Sequence, residues 1–254
     1  MIHAMTKLTP LHEDLTFHGP LSEERAARLI RSLGSLKDAH VVDVGCGWAE
    51  LLLRILEADP SATGHGVDRD AEAIAHGREN ARARGLADRV ELEVADVAAW
   101  SGGPADVLIV NGASQVWGGA ETEHTANALR AGRALLRPGG RLLLGEGFWE
   151  REPTDEQLAA MPIPRDQYRD LPGLVDLAMA HGYRLLSLSQ ASLDEWDEFE
   201  SQHSLAWEHW LLANPDSPEA DKIRAKADTF RGYRLRGWRG TLGMAYLTLV
   251  VSHT

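Results

Sequence analysis

The chain has 254 residues, of which 44% are hydrophobic and 25% are charged, values typical of a globular protein with one α/β domain and insertions. Its formal net charge of −12 disfavours nucleic acid as the main partner, because an acidic surface repels phosphate backbones. The single cysteine excludes an internal disulfide, and no apolar run reaches the length of about 18 residues that a membrane span needs. Residues 1–9 lack the apolar core of a signal peptide. We therefore predict a cytoplasmic protein without a membrane partner.

Helix and strand patterns alternate from residue 21 to residue 145. Apolar residues at helical spacing, with Ser22 as the cap, predict a first helix over Leu21–Leu33. The next predicted strands are Val41–Val44, Thr63–Asp68, Arg89–Ala95, Ala105–Asn111 and Arg141–Gly145, and the helices between them are Ala49–Ala58, Ala71–Arg84 and Glu121–Leu136. This alternation predicts an α/β fold with a parallel, doubly wound sheet and right-handed crossovers.

The pattern changes after Gly145. Residues 147–170 are rich in Pro, Glu and Gln, which predicts an irregular lid or connection. The remaining predicted elements are a helix at Leu174–Ala180, a strand at Tyr183–Leu188, two helices at Leu193–Ala213 and Asp216–Phe230, and a last strand at Thr241–Ser252. The single domain therefore divides into an N-terminal lid and helix (1–35), a cofactor-binding core (36–146), a lid loop (147–170), a core helix and strand (171–190), a helical insertion between the last two strands (191–236) and the last strand (237–254).

A glycine turn follows the first predicted strand and opens the next helix. Gly45 and Gly47 allow a ligand to approach the backbone, and free N–H groups at the helix start can hold polar ligand groups. A dinucleotide fingerprint requires a third glycine where this chain has Glu50, whose carboxylate would repel a pyrophosphate. This turn therefore favours a ligand with a cationic group over a nicotinamide dinucleotide.

Polar side chains stand at the ends of four successive predicted strands: Asp43, Asp68, Asp96 and Asn111. They fall at the carboxyl edge of the sheet, where open α/β sheets bind ligands. Asp68 can accept hydrogen bonds from two ribose hydroxyls, and Asp96 can accept from an adenine amino group while Val97 packs on the ring. Each side chain could instead cap a helix, but four together favour a shared nucleoside site.

Five blocks, at 41–48, 66–68, 90–97, 106–113 and 135–144, resemble the class I S-adenosylmethionine-dependent methyltransferases in residues and in order. The resemblance implies a Rossmann-like fold whose seven-stranded sheet is mostly parallel with an antiparallel last strand, and S-adenosyl-L-methionine as cofactor. It also implies that Gly45 and Gly47 lie against the methionine part, with Asp68 on the ribose and Asp96 at the adenine. The predicted cofactor-binding residues are Asp43, Gly45, Cys46, Gly47, Asp68, Arg69, Asp96, Val97 and Asn111.

The peripheral segments 15–20, 111–114, 145–149 and 205–215 are similar to a bacterial subgroup of small, largely uncharacterised methyltransferases, and this similarity implies no substrate. Residues 111–114 replace the Asn/Asp-Pro-Pro-aromatic motif of nucleobase and glutamine N-methyltransferases, which disfavours that chemistry. The sequence has no His/Cys/Asp cluster at metal-ligand spacing, so we predict no metal.

Three residues are candidates for a general base: His18, Glu146 and His203. A histidine, with an unperturbed pKa of about 6.5, can accept a proton at neutral pH if the acceptor has one to lose. Each of the three candidate bases has an alternative structural interpretation. His18 could hold a turn, His203 could be a core histidine on an aromatic helix face, and Glu146 could cap a helix or loop.

The predicted substrate-binding residues are Phe17, Ser114, Trp117, Trp149, Tyr168 and Trp207. Aromatic walls suit an apolar, planar or cationic acceptor, although aromatic residues at helical spacing also build ordinary cores. We predict methyl transfer to a small-molecule acceptor by in-line displacement, in a monomer or homodimer. A catalytically inactive methyltransferase-like binding domain and a nicotinamide-dependent oxidoreductase are the alternatives.

Overall fold

The computed structural model describes residues 15–252, so the predictions for residues 1–14 and 253–254 lie outside the described part of the chain. The strands are β1 His40–Val44, β2 Thr63–Asp68, β3 Val90–Val94, β4 Ala105–Asn111, β5 Leu136–Trp149, β6 Tyr183–Gln190 and β7 Leu242–Val251. The α-helices are α1 Glu23–Ser32, α2 Glu50–Ala58, α3 Ala71–Ala83, α4 His124–Leu135, α5 Asp155–Ala159, α6 Leu171–Ala180, α7 Leu193–Ala213 and α8 Ala220–Gly232. None of the helices in this range is long and apolar enough to cross a membrane.

The seven strands form one sheet in the order β3-β2-β1-β4-β5-β7-β6. Strands β1 to β5 pair in parallel, and β7 runs antiparallel to both β5 and β6. The predicted fold class is therefore confirmed, including the helical insertion, because α7 and α8 lie between β6 and β7 in the chain.

The two faces of the sheet bury separate apolar clusters. Within β4, Val107 and Ile109 belong to the cluster that includes α1, α2 and α3, whereas Leu108 and Val110 belong to the cluster that includes α4 and α6. Successive side chains of a strand point to opposite faces, so a continuous apolar run fills both clusters. Because both faces are covered, the carboxyl edge of the parallel strands is left to bind ligands.

Strand β5 is longer than predicted at both ends. It begins at Leu136, which pairs with Ala105, and its far end pairs with β7 as far as Trp149 against Leu242. The antiparallel partner supplies hydrogen bonds beyond Gly145, so the chain stays extended where an irregular segment was predicted. The remainder of residues 147–170 includes α5, which begins with a capping box formed by Thr154 and Gln157.

The partly buried carboxylate of Glu195 joins the N-terminal segment to the helical insertion. Glu195 Oε1 accepts hydrogen bonds from Ser22 N at 3.0 Å and Ser22 Oγ at 2.5 Å, and Arg25 Nη2 lies 2.7 Å from Oε2. The same carboxylate accepts from Ser192 N at 2.7 Å in the capping box of α7. Glu195 therefore stabilises the starts of both α1 and α7 and fixes these two helices relative to each other.

Helix α3 packs closely against the glycine turn through Gly77. A Cβ added there would lie 2.8 Å from the Trp48 carbonyl oxygen and 3.0 Å from Leu92 Cδ1. In an open helix, alanine is more stable than glycine by about 1 kcal/mol. We expect Gly77→Ala to lower the free energy of unfolding by about 1–3 kcal/mol instead, because α3 or the turn must move.

Chemical denaturation checks this expectation, and Gly232→Ala is the matched control. A Cβ at Gly232, also helical, meets nothing within 4 Å, so that variant should gain up to about 1 kcal/mol. Equal stabilisation by both substitutions would contradict the close contact between α3 and the turn.

Candidate functional site

A cavity of about 850 Å³ lies at the carboxyl edge of the parallel strands. Its volume is near the top of the roughly 300–1,000 Å³ range of small-molecule sites. Its wall is formed by residues 17–20, the turn after β1, the segments after β2, β3 and β4, one face of α7, and Met244 of β7. Asp43, Asp68, Asp96 and Asn111 all line it, so the structure brings the four strand-end side chains together as predicted.

The turn after β1 has a backbone that glycine alone fits well. Gly45 has a φ of 66°, and a Cβ there would lie 2.5 Å from Ala113 Cβ. Gly47 has a φ of 56°, and the N–H groups of Gly45 and Cys46 both donate to the Val67 carbonyl oxygen. The turn is thus held against the end of β2 with its surface open to the cavity.

Asp68 is the central polar residue of this turn. Its Oδ2 accepts from Gly47 N at 2.8 Å and its Oδ1 accepts from Asp70 N at 2.9 Å. A carboxylate oxygen can accept more than one hydrogen bond, so both oxygens retain capacity for donors in the cavity. The sequence placed Asp68 at the strand end but did not show that it also ties the glycine turn to β2.

Two further groups lie beside Asp68, and burial disfavours the charged form of each. Asp43 is buried, and burial together with the charge of Asp68 raises the pKa of its carboxyl well above the ordinary value. Burial, followed by the charges of Asp43 and Asp68, raises the pKa of the Cys46 thiol well above its ordinary value. Cys46 is therefore a protonated thiol in the turn and not a reactive thiolate.

The far end of the cavity is formed by Asp96, Val97 and Arg69. Asp96 Oδ1 accepts from Ala98 N at 3.0 Å and caps the short 3₁₀ helix at 97–99, and Val97 is buried. The capping interpretation and the site interpretation of Asp96 are compatible, because its carboxylate has a second oxygen and the residue is exposed to the cavity.

Asn111 lies at the end of β4 and is paired with Gly145 of the neighbouring strand β5. Its Oδ1 is buried without a hydrogen-bond partner among the described residues, and a Cβ at Gly145 would come within 2.0 Å of it. Gly145 therefore makes room for the Asn111 side chain, and a buried unpaired amide oxygen is the kind of group that a bound ligand satisfies.

Glu50 lines the cavity, but the structure weakens the electrostatic argument made from it. Its Oε1 accepts from Arg54 Nε at 2.7 Å and its Oε2 from Arg84 Nη2 at 2.5 Å. Two arginines thus balance the charge that was expected to repel a pyrophosphate. Asp68 and Asp70 also place negative charge beside the turn.

His18 lies over the glycine turn and is supported by Trp48. The His18 and Trp48 rings stack with centroids 5.0 Å apart, and Trp48 Nε1 donates to the Thr16 carbonyl oxygen at 2.9 Å. His18 Nδ1 is 3.8 Å from the point that a Cβ on Gly47 would occupy. Burial lowers the pKa of His18 despite the opposing charges of Asp68 and Asp70, so the imidazole is neutral and can accept a proton.

Three residues of α7 complete the wall opposite Asp68: Trp196, Phe199 and His203. The His203 ring lies 6.1 Å from the His18 ring and 4.6 Å from that of Phe199. Burial, followed by His18, lowers the pKa of His203 to about 4. Trp196, Phe199 and Trp48 were not among the predicted site residues, although the spacing of the first two with His203 on one helix face was the available signal.

The structure places Glu146 and Ser114 outside this cavity. Both are buried, and the Ser114 hydroxyl hydrogen-bonds to the Glu146 carboxyl. That carboxyl also accepts from Thr125 Oγ1 at 3.1 Å and Gly147 N at 3.0 Å. Burial raises the pKa of Glu146. The Glu146 carboxyl is thus held by hydroxyl groups from the segment after β4 and from the start of α4, and no cavity-lining position supports the predicted base.

Of the predicted aromatic substrate residues, Phe17 and Trp117 line the cavity, whereas Trp149, Tyr168 and Trp207 do not. Trp149 Nε1 donates to the Arg165 carbonyl oxygen, and its ring meets that of Tyr168 edge to face. Trp207 is buried between α7 and α8, in edge-to-face contact with Phe230. The aromatic residues on one face of α7 therefore line the cavity in the first half of the helix, at Trp196 and Phe199, and pack against α8 in the second half, at Trp207 and Trp210.

The lid predicted over residues 147–170 is corrected by the same geometry. No residue of that segment lines the cavity, and Met161 packs against Gly237, between α8 and β7, instead. Residues 17–20 and α7 form the roof. Within residues 15–252, no three His, Cys, Asp or Glu side chains are grouped so that they could hold a metal ion.

Comparisons with known proteins agree with this geometry. Residues 35–170, more than half of the chain, match the model of a family described as a methyltransferase domain. The Escherichia coli protein YjhP is 31% identical over 82% of this chain and 83% of its own length, and its X-ray structure superimposes with a TM-score of 0.85 over 96% of this chain and 99% of the other.

Two similar solved structures contain S-adenosyl-L-homocysteine. The S-adenosylmethionine-dependent methyltransferase from Geobacter sulfurreducens is 27% identical and has a TM-score of 0.84, covering 99% of this chain and 100% of its own. The one from Thiobacillus denitrificans is 28% identical and has a TM-score of 0.83, covering 97% of each chain.

Proposed function

We propose that this chain, which belongs to the methyltransferase domain family and is an S-adenosylmethionine-dependent methyltransferase, transfers the methyl group to a small-molecule acceptor. The observation that carries the proposal is the roof of the cavity. The His18 ring lies 6.4 Å from that of Phe199 and 6.1 Å from that of His203, so the N-terminal segment and α7 touch across it. A partly roofed cavity of this volume suits a small molecule better than a surface of protein or nucleic acid.

The residues around the turn fit the cofactor. The spare lone pairs of Asp68 suit the two ribose hydroxyls, the open surface of Gly45 and Gly47 suits the methionine part, and Val97 with Asp96 suits the adenine. The bound cofactor supplies a methyl group on a positively charged sulfur. The negative charges of Asp68 and Asp70 favour a positive ligand nearby, and the protein's main contribution is to align the acceptor with that methyl group.

The two alternative functions are less favoured. For a nicotinamide-dependent oxidoreductase, the turn lacks the third glycine, and the paired Glu50 occupies its position at the start of α2. For an inactive binding domain, we would expect loss of the strand-end side chains, whereas all four line one cavity. The prediction of a monomer or homodimer, and of a cytoplasmic location, stays as made from the sequence.

Two measurements test the proposed function. Calorimetry should show binding of S-adenosylmethionine and S-adenosylhomocysteine, while titration with NADH gives no signal. Incubation with a methyl-labelled donor and a cell extract should place the label in the small-molecule filtrate. Label found only in the protein or nucleic-acid fraction would show that the acceptor is a macromolecule.

A further inference from the structure

The cavity has two chemically different halves. The cofactor half comprises the turn after β1 and the segments after β2 and β3, and the acceptor half is formed by Phe17, His18, Trp196, Phe199, His203 and Met244. Building on the proposed methyltransferase function, we propose that the acceptor half binds an uncharged aromatic molecule with a hydroxyl group on its ring, and that His18 receives the proton of that hydroxyl.

The described lining of the cavity disfavours an anionic acceptor. Among the described residues that line it, the single cation is Arg69, which stands between Asp68 and Asp70 in the cofactor half. The same described lining includes the carboxyl side chains of Asp68, Asp70, Glu72 and Asp96, besides those of Asp43, whose pKa is raised, and Glu50, which is paired with two arginines. A carboxylate or phosphate on the acceptor would therefore be repelled without a compensating ion pair.

A cationic acceptor is also disfavoured in the acceptor half. Burial lowers the pKa of both His18 and His203, even though Asp68 and Asp70 attract a proton to His18. An ammonium group placed beside these rings would meet the same desolvation. No carboxylate of the described lining belongs to this half, and the nearby Glu200 is buried on α7 towards Trp238 and Arg234.

The shape of the acceptor half favours a flat ring. Phe17 and Trp48 are buried, His18 stacks on Trp48, and the Phe199 and His203 rings meet edge to face. Planar aromatic molecules gain both apolar burial and offset or edge-to-face contacts on such walls. The buried Nε1 of Trp196 and Nε2 of His203, which have no partner among the described residues, are further groups that a polar ring substituent could satisfy.

The proton must go to a base of suitable strength. An aromatic hydroxyl has a pKa of about 10, like tyrosine, whereas an aliphatic hydroxyl is closer to water at about 15.7. The pKa gap between the hydroxyl and a neutral imidazole is therefore much smaller for the aromatic hydroxyl, which favours an aromatic hydroxyl as the group that gives its proton to His18. The hydroxyl oxygen takes the methyl group, its proton passes to His18 and then to solvent, and the electron pair of the broken carbon–sulfur bond stays on sulfur, leaving a neutral thioether.

Three probes of equal ring size test the proposal: 2-naphthol, 2-naphthoate and 2-(aminomethyl)naphthalene, which are neutral, anionic and cationic at pH 7. Binding of each is measured by calorimetry on the protein saturated with S-adenosylhomocysteine, and methyl transfer by mass spectrometry. We expect 2-naphthol to bind at least about 10-fold more tightly than either charged probe and to yield its methyl ether.

The outcomes separate this inference from the proposed function. If S-adenosylhomocysteine does not bind, the methyltransferase function fails and the acceptor proposal fails with it. If it binds and either charged probe binds more tightly than 2-naphthol, or none of the three binds, the acceptor class is wrong while the function stands.

Variants add a direct test of the charge argument. Phe199→Lys places a cation in the acceptor half and should move the preference towards 2-naphthoate by about 10-fold. Glu198→Lys makes a similar change on the exposed face of α7 and should leave the preference unchanged. His18→Gln should retain S-adenosylhomocysteine binding and lose about 100-fold or more in methyl transfer. Unaltered turnover in His18→Gln would exclude the proton-accepting role.

Discussion

Asp68→Ala is expected to weaken S-adenosylhomocysteine binding by about 100-fold or more. Two hydrogen bonds to a charged carboxylate contribute about 1.5–3 kcal/mol each, and the proposed ribose contacts supply two. The same substitution removes the acceptor for Gly47 N at 2.8 Å, so the glycine turn also loses its tie to β2. Calorimetry gives the affinity, and the accompanying loss of turn rigidity adds to the effect.

Two further variants serve as controls for the effect of Asp68→Ala. Asp68→Asn keeps one acceptor oxygen and the side-chain shape, so we expect an intermediate loss of about 10-fold. Asp59→Ala removes a carboxylate that holds a surface turn through Ser61 but does not line the cavity, and should bind with wild-type affinity. Wild-type affinity in Asp68→Ala would remove Asp68 from the cofactor site.

Glu195→Ala is expected to lower the free energy of unfolding by about 3–5 kcal/mol, because it leaves the buried Arg25 without its charge partner. The two side chains are only 11% and 10% exposed. Loss of Glu195 also leaves the N–H groups of Ser22 and Ser192 without their acceptor at the starts of α1 and α7. Because these helices carry the roof of the cavity, we expect weaker cofactor binding as well.

An exposed ion pair provides the control for this prediction. Arg224 and Asp221 of α8 are 52% and 96% exposed, so Asp221→Ala should change stability by less than about 1 kcal/mol. Replacing both Arg25 and Glu195 by Met should cost less than the two single substitutions together, because no buried charge is then left unpaired. A cost below about 1 kcal/mol for Glu195→Ala would show that water reaches the pair.

The Glu195 pair also predicts a pH dependence. Although burial opposes ionisation, hydrogen bonds from Arg25 and Ser22 hold the pKa of Glu195 at about 2, below its ordinary value of 4.5. A carboxyl with a lowered pKa in the folded state stabilises the protein fully above the unfolded value, and this contribution is lost as the pH falls from 4.5 towards 2. Glu195→Gln should therefore show a smaller loss of stability than the wild type over that range.

The sequence alone determined the sheet and the cofactor edge. Strands and helices differ in the periodicity of their apolar residues, and the glycine turn needs backbone angles that few other residues adopt. The strands, the helices and the turn can therefore all be predicted from the local sequence pattern. Asp43, Asp68, Asp96 and Asn111 could be placed together because strand ends of a parallel sheet always meet at one edge. These predictions required no knowledge of side-chain packing.

Only the tertiary structure decided which side chains lie opposite the cofactor edge of the sheet. His18 and His203 are more than 180 residues apart in the chain, and their meeting depends on the Glu195 bonds between α1 and α7. Phe199 and Trp207 lie on the same face of α7, but α8 covers only Trp207 and leaves Phe199 in the cavity wall. Likewise, Arg84, one of the two arginines that neutralise Glu50, comes from the end of α3. Such contacts depend on how distant segments pack, which a local pattern does not specify, whereas the cofactor edge follows from the order of strands.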